Sequence, residues 1–545
     1  MRSSLFQLAI SAAVGIRSAL AIGPPPPLPP PDRLDVAAFR ALADPQSTTT
    51  GQGTFDQYID HKNPKLGTFP QTYWYNATYW KGPGSPIVVF TPGEIAAAGY
   101  TGYLTDQRLT GMLAKEVGGA VVIVEHRYWG SSTPYAVQTT KNLQYLTLEQ
   151  AVQDFARITR ELKLPFDTNG SSNSPKAPWI WTGGSYSGAL GAWIESLAPG
   201  TMWATHSSSG PLEAIYDYWQ YFVPTQQGMP QNCSKDFSAI IDHVDNVLLH
   251  GSRKDKADLK ALFNIEGLEH ADDIATAISA PIWAWQSIQM YSGYSVFYQM
   301  CDAIEGFGQN TSSISTTYPT NQGVGLKAAL PNYAAWYKKA YLPGTCASYG
   351  YPEWSDENNV ECFNTYNATS PMYTDYSESN SFYRTWVWMT CNDPFFYYQT
   401  GAPRNRPSIF SRVVGPDYYQ RQCPLFFPRE GKYTYGSAIG DSAAKLNAQT
   451  GGWKFTGKKR LFHVNGEFDP WRSASVASEF RPGGPYKGSK NTPSILIKGS
   501  RHCNDLSKRN GDANSDIAAA QTTIVAQIGQ WTKEFYGAHG RRRTV

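Results

Sequence analysis

The chain has 545 residues, 41% hydrophobic and 14% aromatic, enough for a large buried core and an insertion beside it. Its 47 Lys and Arg nearly balance 44 Asp and Glu, for a formal charge of +3. No broad basic stripe exists to release counterions from a phosphate backbone, which excludes nucleic acid as the main partner. No stretch beyond the N-terminus is long and apolar enough to span a membrane.

Residues 1–21 read as a secretory signal, with Arg2, an apolar run from Leu5 to Val14, and Ala19-Leu20-Ala21 as an A-x-A cleavage site. Residues 22–49 form a proline-rich lead-in, and the stretch from Pro24 to Pro31 is expected to be extended. The first part of the core spans 50–214. Ile87-Val88-Val89-Phe90 and Ala120-Val121-Val122-Ile123-Val124 are continuous apolar runs, as buried parallel strands should be. Leu148, Val152, Phe155, Ile158 and Leu162 carry helical spacing after a capping-box pattern, Thr147-Leu148-Glu149-Gln150. Trp179-Ile180-Trp181-Thr182 reads as a further strand, and a helical pattern from Ala189 to Leu197 stops at Pro199-Gly200. Between them stands Gly183-Gly184-Ser185-Tyr186-Ser187-Gly188. A serine on a tight strand-to-helix turn has the form of a nucleophile elbow, with Ser187 where the G-x-S-x-G pattern has its last glycine.

From 215 to 440 the strand-helix rhythm fails. This segment is rich in Tyr, Trp, Gly and Pro and reads as an insertion capping the sheet, helical from Ile240 to Leu249 and from Ala257 to Leu262. Six of the seven cysteines lie in it: Cys233, Cys301, Cys346, Cys362, Cys391 and Cys423. With Cys503, they suggest up to three disulfides and one cysteine left over in an oxidising compartment, in a pairing the sequence does not define. No C-x-x-C is present, so no metal is expected, and no cofactor is implied. N-x-S/T sequons begin at Asn76, Asn169, Asn232, Asn310 and Asn367.

The second part of the core spans 441–535, before a basic tail at 536–545. Leu461 to Gly466 reads as a strand that leads into Glu467-Phe468-Asp469-Pro470-Trp471. Ser494 to Gly499 reads as another, leading into Ser500-Arg501-His502-Cys503. An acid and a histidine thus sit just past the C-terminal ends of strands, where α/β sheets place chemistry. The chain order Ser185, Asp469, His502 is that of a hydrolase triad. Glu467 and Asp505 compete for the acid's place, and His539 for the histidine's.

Taken together, these motifs resemble the prolyl carboxypeptidase family of serine peptidases. They are Gly183-Gly184-Ser185-Tyr186-x-Gly188, Glu125-His126-Arg127-Tyr128-Trp129-Gly130-Ser131, Tyr145-Leu146-Thr147-Leu148-Glu149-Gln150-Ala151, Asn465 to Trp471, and His502-Cys503-Asn504-Asp505-Leu506. Phe55-Asp56-Gln57-Tyr58 and Arg384-Thr385-Trp386-Val387-Trp388-Met389 extend the likeness over roughly 50–530, in the same order. The secreted fungal members look most similar. The resemblance implies an α/β-hydrolase core with a large, mainly helical cap inserted after the nucleophile half of the sheet. It also implies cleavage on the carboxyl side of proline at acidic pH. It makes Ser185 the nucleophile, Asp469 the orienting acid and His502 the base. Thr91-Pro92-Gly93-Glu94 departs from the family's Gly-x-Glu-Gly at the first strand end.

The backbone N–H of Tyr186 is the expected oxyanion donor, with a second near Gly93 or Glu94. A proline pocket should be apolar and aromatic, with Trp471 best placed and Trp388 and Met389 next. Glu125, His126 and Arg127 are expected to hold the elbow by ion pairing. An acid optimum needs a neutral His502, hence a pKa below about 6.5. The expected partners are proline-containing peptides or proteins, met by a monomer or dimer that is secreted or vacuolar-lysosomal. Two other readings compete: a carboxypeptidase or esterase of this fold without proline preference, and an inactive hydrolase-fold binding protein. Whether cleavage falls inside chains or at an end is left open.

Overall fold

A computed structural model describes residues 48–307, 320–455 and 458–538. The signal, most of the proline-rich lead-in, Asn310, His539 and the basic run of the tail lie outside the described residues.

Eight strands form one sheet: β1 (Thr50–Tyr58), β2 (Thr68–Asn76), β3 (Ile87–Phe90), β4 (Ala120–Val124), β5 (Trp179–Gly184), β6 (Ala204–Ser208), β7 (Leu461–Gly466) and β8 (Ser494–Ile497). Their order is β1-β2-β4-β3-β5-β6-β7-β8. The β1–β2 hairpin is antiparallel and β2 runs antiparallel to β4. From β4 to β8 every pairing is parallel. This is the α/β-hydrolase fold, a mostly parallel sheet covered on both faces.

The apolar runs in β3 and β4 are continuous because both faces are buried, and alternate residues feed separate cores. Val88, Phe90, Val121 and Ile123 join one core, Ile87, Val89, Val122 and Val124 the other. Helix α1 (Leu109–Val117) covers the first face, while α2 (Leu148–Glu161) and α3 (Tyr186–Leu197) cover the second. The β1–β2 hairpin has no counterpart in the sequence reading: β1 alternates partly exposed and exposed residues at the sheet edge, with only Thr50 and Gln57 buried.

Between β6 and β7 the chain builds α4 (Gln231–His250), α5 (Arg253–Phe263), α6 (Ala271–Ser279), α7 (Val296–Ile304), α8 (Leu326–Trp336) and α9 (Ser381–Cys391). After β8, α10 (Ser515–Ala538) returns to the α1 face, burying Ile517, Ile524, Ile528 and Trp531.

The α2 capping box forms only by half. Thr147 accepts from Gln150 N at 3.3 Å, but the Gln150 side chain turns to Asp60 and His61 instead of back to Thr147. The amide of Leu148 is met by Asp393 Oδ2 at 2.9 Å, so a carboxylate of the inserted segment caps a core helix.

Three disulfides, Cys233–Cys301, Cys346–Cys362 and Cys391–Cys423, all lie within the inserted segment, and Cys503 is free and buried. The bridged cysteines are 68, 16 and 32 residues apart, so loop closure predicts unequal stabilisation. Replacing Cys233 and Cys301 with Ser is expected to cost roughly 4 kcal/mol, and the same change at Cys346 and Cys362 roughly 3 kcal/mol. Urea unfolding followed by tryptophan fluorescence measures both. No loss in either variant would mean that packing alone holds this segment.

Candidate active site

Because β3, β5, β7 and β8 are parallel, the loops after them leave the same edge of the sheet. Ser185 follows β5 with φ 57° and ψ −131°, a conformation side chains rarely adopt, and α3 starts at the next residue. The close approach of helix and sheet explains the glycines around it. A Cβ on Gly188 would stand 2.5 Å from Ser208 O, and one on Gly183 would stand 2.3 Å from Ser187 Oγ. The glycine requirement therefore falls at 183 and 188, and Ser187 is accommodated because Gly183 has no side chain.

The pairing of β7 and β8 continues beyond the strands. Glu467 N donates to Ile497 O and Phe468 N to Ser500 O, each at 2.9 Å. Gly466 lets the second loop fold across, since a Cβ there would meet Arg501 O at 2.4 Å. These contacts bring Asp469 Oδ1 to 2.9 Å from His502 Nδ1. The same oxygen accepts from Trp471 N at 3.0 Å. Asp469 thereby favours the tautomer with hydrogen on Nδ1, leaving His502 Nε2 as an acceptor. Ser185 and His502 are each 1% exposed and Asp469 0%. Neither Ser185 Oγ nor His502 Nε2 has a hydrogen-bond partner.

The rival acids are engaged elsewhere. Glu467 Oε2 accepts from Gly499 N at 2.8 Å, and Asp505 Oδ1 accepts from Ser208 Oγ at 2.5 Å. Burial opposes a charge on His502, but the neighbouring Cys503 and the Asp469 carboxylate outweigh it and hold the imidazole well above 6.5. Burial raises the Cys503 thiol above its ordinary 9.

Gly93 packs its backbone against the elbow: a Cβ there would lie 3.0 Å from Tyr186 Cδ1. Its N–H donates to Thr91 Oγ1 at 3.2 Å. Glu94 is 2% exposed with Oε1 unpaired, and burial raises its carboxyl to about 8, against the pull of its own backbone N–H and of His502. Tyr186 is the first residue of α3, where backbone N–H groups lack intrahelical partners.

Glu125, His126 and Arg127 support the elbow, though not by ion pairs to it. Glu125 accepts from Ala97 N at 2.9 Å and Ser132 Oγ at 2.8 Å, joining the loop after β3 to the loop after β4. Burial lowers His126 to about 4, so this ring is neutral and bonds the Tyr186 hydroxyl at 2.9 Å. Arg127 instead grips Asp154 of α2 through Nε at 2.7 Å and a second nitrogen at 2.5 Å.

Trp471 is 1% exposed and enclosed by Tyr218, Tyr221 and Tyr397, with ring centroids 5.6, 5.4 and 5.3 Å away. Its indole donates to Gln286 Oε1 at 2.9 Å, while Gln286 Nε2 is buried without a partner. Trp388 stands at the seam with the core: its indole donates to Leu146 O and its ring packs on Phe427. Met389 is buried close by in sequence. A different indole reaches toward the elbow, with Trp386 on Phe395 and Phe395 on Tyr186. Sequence reasoning missed Tyr218, Tyr221, Tyr397, Gln286 and Phe395, which no spacing distinguishes among 34 tyrosines and 24 phenylalanines.

Residues 56–524 match the family described as Serine carboxypeptidase S28. Serine protease vicPa of Bipolaris victoriae (strain FI3) is 48% identical over 490 residues, covering 90% of each chain. A probable extracellular serine carboxypeptidase of Arthroderma benhamiae is 32% identical, covering 82% of this chain and 60% of the relative. Thymus-specific serine protease of Homo sapiens is 25% identical, covering 88% and 86%. The chain therefore belongs to the S28 family and is a serine peptidase on an α/β-hydrolase fold.

Proposed function

We propose that this peptidase is secreted and hydrolyses peptide bonds on the carboxyl side of proline, with Ser185 as nucleophile, His502 as base and Asp469 as orienting acid. The observation that carries the reading is the Asp469–His502 hydrogen bond beside two unpaired buried atoms, His502 Nε2 and Ser185 Oγ. Ser185 Oγ adds to the scissile carbonyl carbon and gives its proton to His502 Nε2, and Asp469 stabilises the imidazolium. The Tyr186 N–H donates to the developing oxyanion. The Gly93 N–H joins it by giving up its long bond to Thr91 Oγ1. Collapse expels the amine, which takes the proton from His502, and water then hydrolyses the acyl-enzyme by the same steps in reverse.

Proline preference is supported by the aromatic enclosure next to Asp469. A pyrrolidine ring offers no donor and stacks on indole, so Trp471 and its tyrosines suit it.

Secretion is supported by the N-terminal signal, the disulfides and the sequons. Asn169 is exposed and Asn232 and Asn367 are partly exposed, fit to carry glycans. Asn76 is not: it is 5% exposed and its Nδ2 donates to Leu104 O at 3.0 Å.

Digestion of peptides with an internal, a penultimate and a second-position proline, read by mass spectrometry, tests the substrate. Cuts are expected after proline alone, and Ser185→Ala should reduce their rate roughly 10⁴-fold or more. Cuts at other residues with equal kcat/KM would remove the proline preference and leave a general serine peptidase.

The acid optimum implied by the resemblance meets an opposing force. Attack needs a neutral imidazole, and against burial the Asp469 carboxylate favours a proton on that ring. The Cys503 contribution requires a thiolate, and burial keeps that thiol protonated at low pH, so Asp469 alone then acts against desolvation. The kcat/KM profile is expected to rise with pH, its acidic limb centred above about 6.5. A plateau already complete at about pH 5 would show that desolvation prevails over Asp469.

A further inference from the structure

Among the described residues eight other than glycine have positive φ, and three of them meet at one point: Ser185 at 57°, Ser209 at 52° and Cys503 at 54°. Ser209 directly follows β6, the strand between the elbow's strand and that of Asp469. The hydrogen bonds around it lead to both catalytic loops. Ser185 N donates to Ser208 O at 2.9 Å. Cys503 N, next to His502, donates to Ser209 Oγ at 2.9 Å. Ser208 Oγ donates to Asp505 Oδ1 at 2.5 Å. Asp505 Oδ2 lies 3.1 Å from His206 Nε2 of the same strand, at ion-pair distance but without hydrogen-bond geometry. Ser209 N in turn donates to Val464 O of β7 at 2.7 Å.

We propose that Ser208 and Ser209 are positioning residues that fix the nucleophile loop and the imidazole loop to each other, with Asp505 as the anchor of the second. The inference rests on Ser185 and His502 being nucleophile and base. One dipeptide holds the nucleophile by a main-chain carbonyl and the histidine loop by two side-chain hydroxyls. The separation of Ser185 Oγ and His502 Nε2 is therefore set by the geometry of two consecutive residues, not by the 316 residues of intervening chain. All the groups involved are buried: Ser208 and His206 are 0% exposed, Ser209 1% and Asp505 2%. Water therefore does not replace a lost partner, and an orphaned Cys503 N–H or Asp505 carboxylate would re-aim its loop.

Positive φ at Ser209 supplies a clean variant. Ser209→Gly removes the hydroxyl in a backbone conformation that glycine adopts without strain, so folding is preserved. The readouts are kcat and KM on a proline peptide, the second-order rate of Ser185 labelling by a fluorophosphonate, and Tm. Ser209→Gly is expected to lower both kcat and labelling rate about tenfold, equivalent to about 1.4 kcal/mol. KM and Tm should stay near the wild-type values. Asp505→Asn, which keeps an acceptor for Ser208 Oγ, should lose less than Asp505→Ala. A Ser209→Gly variant that labels and turns over within about twofold of wild type overturns the clamp while leaving the triad intact. Absence of labelling in the wild type overturns both readings.

Discussion

Helix α3 begins one residue after β5 and its first turn lies against the main chain of β6. That contact constrains the rest of the site. With 2.5 Å between a Gly188 Cβ and the Ser208 carbonyl, no side chain fits, so the glycine of this elbow stands one place beyond its ordinary position. Ser185 is then forced to positive φ, which turns its hydroxyl out of the sheet at the edge where β7 and β8 also end. Strain of this kind costs on the order of 1–3 kcal/mol and persists only where neighbours over-determine it. Here they do. Ser185 N bonds Ser208 O, Gly93 presses on Tyr186, and the Tyr186 hydroxyl bonds a buried neutral histidine.

The inserted segment is more than a cover. Its Trp285 indole donates to Phe468 O at 2.8 Å, one residue before Asp469, and Asn504 donates to Ile288 O at 3.1 Å, two residues after His502. Asp393 caps α2, and the buried guanidinium of Arg384 bonds Gln138 O of the core along with Tyr373 O and Phe426 O of its own segment. The segment is thus bonded to the acid loop, the histidine loop and the helix beside the elbow. Displacing it as a rigid lid would break these bonds together.

The residues proposed to bear chemistry were legible in the sequence because they punctuate strong patterns. Continuous apolar runs announced β3, β4 and β5, and a serine between glycines at the end of one of them marked the elbow. Asp469 and His502 stood just after two further runs, although nothing in the spacing favoured Asp469 over Glu467. That choice is made by the extended pairing of β7 with β8, a tertiary contact. The β1–β2 hairpin escaped notice because Thr50–Tyr58 contains two glycines and no apolar run and lies at the sheet edge, where half of each residue's surroundings is solvent. The enclosure around Trp471 escaped it for the opposite reason. Its tyrosines come from 218, 221 and 397, and in a chain with so many aromatics only folding singles them out.

The charges follow one logic. Burial keeps three ionisable groups of the core neutral: His126 is lowered to about 4, His463 to about 3, and Glu94 is raised to about 8. Arg127 and Asp154 remain as a buried pair on the core side of the elbow, mutually neutralising and bidentate. Among the catalytic candidates the charge that acts is then that of Asp469, whose Oδ1 serves both the His502 ring and the Trp471 amide while Oδ2 is unpaired. A carboxylate so sparsely satisfied in a low dielectric gains most when the imidazole beside it becomes positive, as it would in the proposed attack. The same attraction acts before substrate arrives and favours a proton on the resting ring. Stabilising the transition state and raising the pH at which the base is free are therefore two consequences of one contact, 2.9 Å long.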